Sequence, residues 1–95
     1  MTEAQAKEKY RSLLIRIAKH YVSLKDESMA MKDMADEARG AGVLKGGVIS
    51  GMYCQAKSLR KEAYKIKGIL LLEKDSMEEF FGTTNLYTIA KQPLT

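Results

Sequence analysis

The sequence contains no tryptophan and has one cysteine, one histidine and one proline among its 95 residues. With Cys54 alone there is no internal disulfide, and with His20 alone there is no ligand set for a structural zinc. The longest unbroken apolar run, Ile69 to Leu72, is four residues, against about twenty for a membrane span. The first residues, with Thr2, Glu3 and Gln5, hold no apolar segment of the kind a signal peptide needs. A free thiol without an export signal fits a reducing compartment, so a cytoplasmic location is expected. A catalytic set is missing as well. Cys54 and His20 fall on different predicted helices, and a nucleophile needs its base close by. The acids at Asp26–Glu27, Asp33, Asp36–Glu37 and Glu78–Glu79 lack the spacing of a calcium loop or a metallohydrolase. No enzymatic activity, metal, cofactor or small-molecule substrate is expected.

The residues that are present describe one small helical domain: 45% are hydrophobic and 29% charged. A chain this short buries only about 60–65% of its unfolded surface, so a monomeric core is thin. Residues 3 to 39 contain neither glycine nor proline. Apolar or small side chains recur there in a 4,3 rhythm: Tyr10, Leu14, Ile17, Tyr21, Leu24, Ser28, Met31, Ala35, Ala38. The pattern predicts one long coiled-coil-like helix of about 55 Å. A compact 95-residue globule has a radius of gyration of only about 12 Å. So long a helix needs a partner for its seam, and a second subunit is the simplest one. On this reading Tyr10, Leu14, Ile17, Tyr21, Leu24 and Met31 form the interface of a homo-oligomer. The alternative is a break near Lys25–Ser28 that yields two ordinary helices of a monomeric bundle.

Five glycines, Gly40, Gly42, Gly46, Gly47 and Gly51, fall within twelve residues and predict a turn, with Gly40 ending the first helix. The stretch Gly40 to Gly46 has glycines in a GxGxxxG spacing, but no strand precedes it and no Gly-Lys-Ser/Thr follows, so a phosphate loop is excluded. A second helix is expected from Val48 to about Lys67, with Met52, Ala56, Leu59, Ala63 and Ile66 on its packing face. On the same wheel Lys57, Arg60, Tyr64 and Lys67 lie within about 40° of Tyr53, and Lys61 and Lys65 extend the arc. Gly68 marks an end or a kink. Ile69 to Leu72 is expected to be buried, Ser76 and Glu79 have capping-box spacing for a short helix Met77–Phe81, and 83–95 reads as a tail outside the 1–82 domain.

Charge is unevenly spread. Between residues 39 and 67 stand seven basic residues, Arg39, Lys45, Lys57, Arg60, Lys61, Lys65 and Lys67, against the single acid Glu62. A local excess points to a binding face. Lys57, Lys61 and Lys65 repeat every fourth residue, about 6 Å apart, which suits a row of phosphates. Arg60 offers a forked phosphate contact, and Tyr53 and Tyr64 offer hydroxyl donors. The expected partner is double-stranded DNA, met through Arg39, Lys45, Tyr53, Lys57, Arg60, Lys61, Tyr64, Lys65 and Lys67.

The segment Asp36-Glu37-Ala38-Arg39-Gly40-Ala41-Gly42, closing a long helix ahead of a basic one, resembles the GapR-type nucleoid-associated proteins. Gly42-Val43 through Met52, Lys57 and Arg60 is similar in layout to the small double-stranded-DNA-binding proteins of T-even-type phages. The likeness covers about residues 10 to 67. It implies a helical dimer or tetramer that grips duplex DNA by its backbone, with shape or AT-richness preferred over a fixed sequence. Arg39 falls on the family's basic turn position and Gly40 and Gly42 on its glycines. Val43-Leu44 replaces the family's aromatic-Asp pair. The family's first basic cluster falls on Ile49, Ser50, Tyr53, Gln55 and Ala56, so the cations here come later. The expectation is therefore an all-α, homo-oligomeric, duplex-DNA-binding protein of nucleoid-associated or phage-regulatory type. The rival is a small helical protein-interaction module, phage-encoded or not, that inhibits an acidic host protein. A membrane-surface helix fits less well, since 48–67 has no tryptophan and no bulky apolar face.

Overall fold

The first helix begins where its sequence supplies a cap. The Thr2 hydroxyl accepts from the Gln5 amide at 3.2 Å, and the Gln5 side chain accepts from the Thr2 amide at 2.9 Å. From there α1 (Glu3–Ala41) runs unbroken in this computed structural model, which describes residues 2–94. No break occurs at Lys25–Ser28. The helix passes through Gly40 and stops at Gly42, whose φ of 66° is the left-handed conformation that glycine adopts without strain. The Gly42 amide donates to the Ala38 carbonyl at 3.0 Å. The expected stop at Gly40 is thus two residues early, because a helical glycine costs about 0.5–1 kcal/mol, too little to end so long a helix, and only the left-handed residue ends the ladder.

A short connection leads into α2 (Gly46–Leu71), followed by α3 (Lys74–Phe81) and α4 (Leu86–Ala90). Gly68 lies inside α2 and neither ends nor caps it. Of the run Ile69 to Leu72 only Leu70 is buried, as one residue in four of a surface helix can be. The Ser76–Glu79 capping box does not form: Ser76 is within α3, whose N-cap is Glu73 with no side-chain cap bond. The segment read as a tail carries α4. Asn85 caps it, accepting from the amides of Tyr87 and Thr88 at 3.0 and 3.2 Å. Leu86, Ile89 and Ala90 are buried, and Lys19 Nζ donates to the Ala90 carbonyl at 2.5 Å. Thr95 lies outside the described residues.

The dominant packing is the antiparallel pairing of α1 with α2. Buried residues recur at seven-residue steps on both: Leu14, Tyr21, Ser28 and Ala35 on α1, and Ile49, Ala56, Ala63 and Leu70 on α2. A buried hydrogen bond from the Ser28 hydroxyl to the Ala56 carbonyl, 2.7 Å, sets the register. That register brings Leu14 level with Leu70, Tyr21 with Ala63 and Ala35 with Ile49. Small residues occupy the middle, so the two backbones lie close enough for a serine side chain to reach the neighbouring main chain. The partner that the α1 seam requires is supplied by the same chain. Leu14 and Tyr21, read above as interface residues between subunits, are core residues here, while Tyr10, Ile17, Leu24 and Met31 are half-buried.

A second face of α1, carrying the fully buried Ile15 and Ala18, packs against α4. Tyr10 meets Phe80 edge-on at 5.7 Å and its hydroxyl donates to Glu73; Arg11 lies 5.5 Å over the Phe81 ring; Tyr21 meets Tyr87 at 6.0 Å. These contacts thicken the molecule only at the end that holds the N-terminus of α1. The result is a rod, 59 × 23 × 22 Å, with a radius of gyration of 17.5 Å. No helix is long and apolar enough to cross a membrane among the described residues.

The seam and the exposed glycines respond oppositely to added carbon. Ala63→Leu places a branched side chain at a fully buried position, so thermal or urea unfolding is expected to show a loss of about 1–3 kcal/mol. Gly68→Ala adds a methyl with nothing within 4 Å of it, so the same measurement is expected to show a gain of about 0.5–1 kcal/mol.

Candidate anion-binding groove

Beyond the end of α4 the two long helices lie bare, and along one edge they enclose a groove of about 420 Å³. Its floor is Ser28 and Ala56, the pair joined by the register-setting hydrogen bond. Its sides carry Lys25, Met29 and Lys32 from α1 and Lys57 and Arg60 from α2, with Tyr53 and Tyr64 standing at either end. The helix period explains the convergence. Counted from Ser28 at 100° per residue, Lys25, Lys32 and Met29 fall about 40° to 100° to one side. Counted from Ala56, Arg60, Tyr53, Tyr64 and Lys57 fall in the same range. In an antiparallel pair these two sides meet at one edge.

The end walls are held in place by links between the helices. At one end the Lys25 ammonium sits 4.8 Å over the Tyr64 ring and 3.4 Å from its hydroxyl, a cation–π contact of about 0.5–1 kcal/mol in an exposed setting. At the other end the Tyr53 hydroxyl donates to the Asp36 carboxylate. That hydrogen bond holds the Tyr53 phenol above its usual value of 10.0, with smaller contributions from burial and from the Asp36 charge, while Arg39 acts in the opposite sense. The tyrosines are eleven residues apart, about 16 Å along α2.

No carboxylate lines the groove, and none lies within 4.0 Å of Lys25, Lys32, Lys57 or Arg60 among the described residues. Four cations therefore face one concavity without a carboxylate partner, Lys25 resting on the Tyr64 ring, which is an arrangement for an anion. Of the residues singled out from sequence, Tyr53, Lys57, Arg60 and Tyr64 line this groove. Lys61 and Lys65 are exposed on the outer side of α2, Lys65 within 4.0 Å of Glu62. Lys67 lines a smaller recess of about 260 Å³ with Tyr21, Asn85 and Tyr87. Arg39 lies in the last turn of α1, and Lys45 is the N-cap of α2, both by the hairpin tip. The α1 contribution, Lys25 and Lys32 with Met29, is new. Its signal was a spacing of Lys25, Met29, Lys32 and Asp36 that follows one helix stripe. No group of three metal-binding side chains occurs among the described residues, and Cys54 is exposed.

Asp36→Asn removes the charged acceptor, so an ultraviolet pH titration is expected to show the Tyr53 phenol moving down toward 10.0. The Tyr53–Asp36 tie is fully formed below the ordinary tyrosine value and is lost as the pH rises through the elevated one. Comparison with protein-family models, with curated proteins and with solved structures gives no match to this chain.

Proposed function

We propose that the chain binds double-stranded DNA through the phosphate backbone, with the groove between α1 and α2 as the central contact and the outer lysines of α2 as its extension. One observation carries this reading: cations from two helices, Lys25 and Lys32 with Lys57 and Arg60, converge on an acid-free groove. Duplex DNA carries one charge on each strand per 3.4 Å or so of its axis, so the roughly 16 Å between the tyrosines, laid along that axis, spans about five phosphates of a strand. Lysines at the rim act as point charges, Arg60 offers a fork to a phosphate, and the tyrosine rings offer faces and hydroxyls to sugar and phosphate. None of this reads a base edge. The expected preference is for duplex shape and charge, as the resemblance to GapR-type proteins also implies. Lys61, Lys65 and Lys67, with Arg39 and Lys45 toward the tip, add to the field along the rod. The role is binding, with no catalytic group assigned.

Fluorescence anisotropy with a random-sequence duplex tests this. Affinity is expected to fall with salt along a log–log slope of about −4 to −7, for five to eight phosphates engaged. Lys57→Ala with Arg60→Ala is expected to reduce the magnitude of that slope by about 2 and to weaken all sequences alike. A flat salt response refutes the proposal. Absence of any duplex binding at low salt, together with retention of a discrete acidic protein, favours the inhibitor reading instead.

A further inference from the structure

The opposite edge of the hairpin has a different chemistry. On the side of the seam away from the groove, Ile17, Leu24 and Met31 of α1 run beside Met52, Leu59 and Ile66 of α2. All six are half-buried. Around them lie exposed apolar residues: Leu13 (40%), Met34 (49%), Val48 (50%) and Ile69 (60%). At one end of this stripe Tyr10 meets Phe80 of α3; Leu13, Met34, Val48 and Ile69 remain exposed. We infer that this edge is the docking surface for a second copy of this chain, and that two hairpins meet there with their α1 helices antiparallel about a dyad near Ser23 and Leu24.

Three observations select a second copy as the occupant. The first is area. The chain exposes 6488 Å², whereas a compact monomer of 10.7 kDa exposes about 5,500 Å². The excess of about 1,000 Å² is comparable with the roughly 800 Å² per partner that a standard interface buries. The second is charge. Residues 3 to 23 of α1 hold five lysines or arginines and two acids, whereas residues 24 to 41 hold three and five. A helix that is basic in one half and acidic in the other complements an antiparallel copy of itself and repels a parallel one. The third is register. Under that dyad Leu13 faces the partner's Met34, His20 faces the partner's Glu27, and Met52 faces the partner's Ile69. Exposed apolar residues then cover one another, and the polar pair has opposite character. This surface differs from the heptad seam read from sequence, half of which is spent inside the chain. It also leaves both grooves free on the outer faces of a four-helix assembly.

Sedimentation of the full chain at two or more concentrations tests the inference. A particle of twice 10.7 kDa that dissociates on dilution is expected. Leu13→Lys and Met34→Glu change exposed positions, so each is expected to keep its helical circular dichroism while weakening self-association by about tenfold or more. The double variant places a lysine opposite the partner's introduced carboxylate and is expected to recover to within about threefold of the wild type. Helix content unchanged with no loss of association in the single variants overturns the assigned surface. A double variant no better than the singles overturns the antiparallel register. A wild type that remains at monomer mass overturns the inference entirely, and it does so without bearing on DNA binding, which rests on the opposite edge.

Discussion

The close contact of α1 with α2 governs the rest of the structure. Ala35, Ala56 and Ala63 keep the helices near, and the Ser28 hydroxyl, buried against the Ala56 carbonyl, locks their register. A hydroxyl buried without a partner costs about 1–3 kcal/mol, so a slip along the seam is penalised twice, by a lost hydrogen bond and by mismatched side chains. Larger residues close the seam at its ends, Leu14 with Leu70 at one and Ile49 beside Ala35 at the other. Every surface feature of the rod follows from which residues this register places on the two edges.

Those edges are unlike each other. One carries Lys25, Lys32, Lys57 and Arg60 over a polar floor; the other carries six half-buried apolar side chains. A chain of this size has little interior to spare, and α3 and α4 thicken the rod at one end only. The basic edge remains bare where α4 stops, which is why the groove begins beside Tyr64 and Lys25. The charges there stay unpaired because the acids of α1, Asp26, Glu27 and Asp33, point elsewhere around the helix. Asp36 alone approaches, and the Tyr53 hydroxyl engages it at the groove's end. The separation lets one edge meet a polyanion while the other is covered.

Much of this architecture was legible in the residues. The absence of glycine and proline from residues 3 to 39 announced the long helix, and the basic stripe of α2 was visible on a helical wheel. The occupant of the α1 seam was not legible from α1, since a heptad pattern says that a partner exists and not which chain supplies it. The answer lay in the matching steps of Ile49, Ala56, Ala63 and Leu70; the packing face expected from the helical wheel held Ala56 and Ala63 but centred between them and Met52, Leu59 and Ile66, and so left out Ile49 and Leu70. The α4 helix was hidden because five residues are too short to show a period; its cap at Asn85 was the only local sign. Lys25 and Lys32 were hidden by their neighbours, because composition counts the acids beside them whereas the groove receives only one face of the helix. The ends of α1 and α2 were misplaced where Gly40 and Gly68 were taken as stops without regard to backbone conformation.

The central claim is that a single site is built jointly by the two long helices. Nuclear magnetic resonance of the isotope-labelled chain, titrated with a short duplex at low salt, tests it residue by residue. The account predicts that signals of Lys25, Ser28 and Lys32 on α1 shift together with those of Tyr53, Lys57 and Arg60 on α2, while Leu24, Met31 and Leu59 on the opposite edge stay in place. Shifts confined to the outer lysines of α2, or centred on the apolar edge, would contradict it.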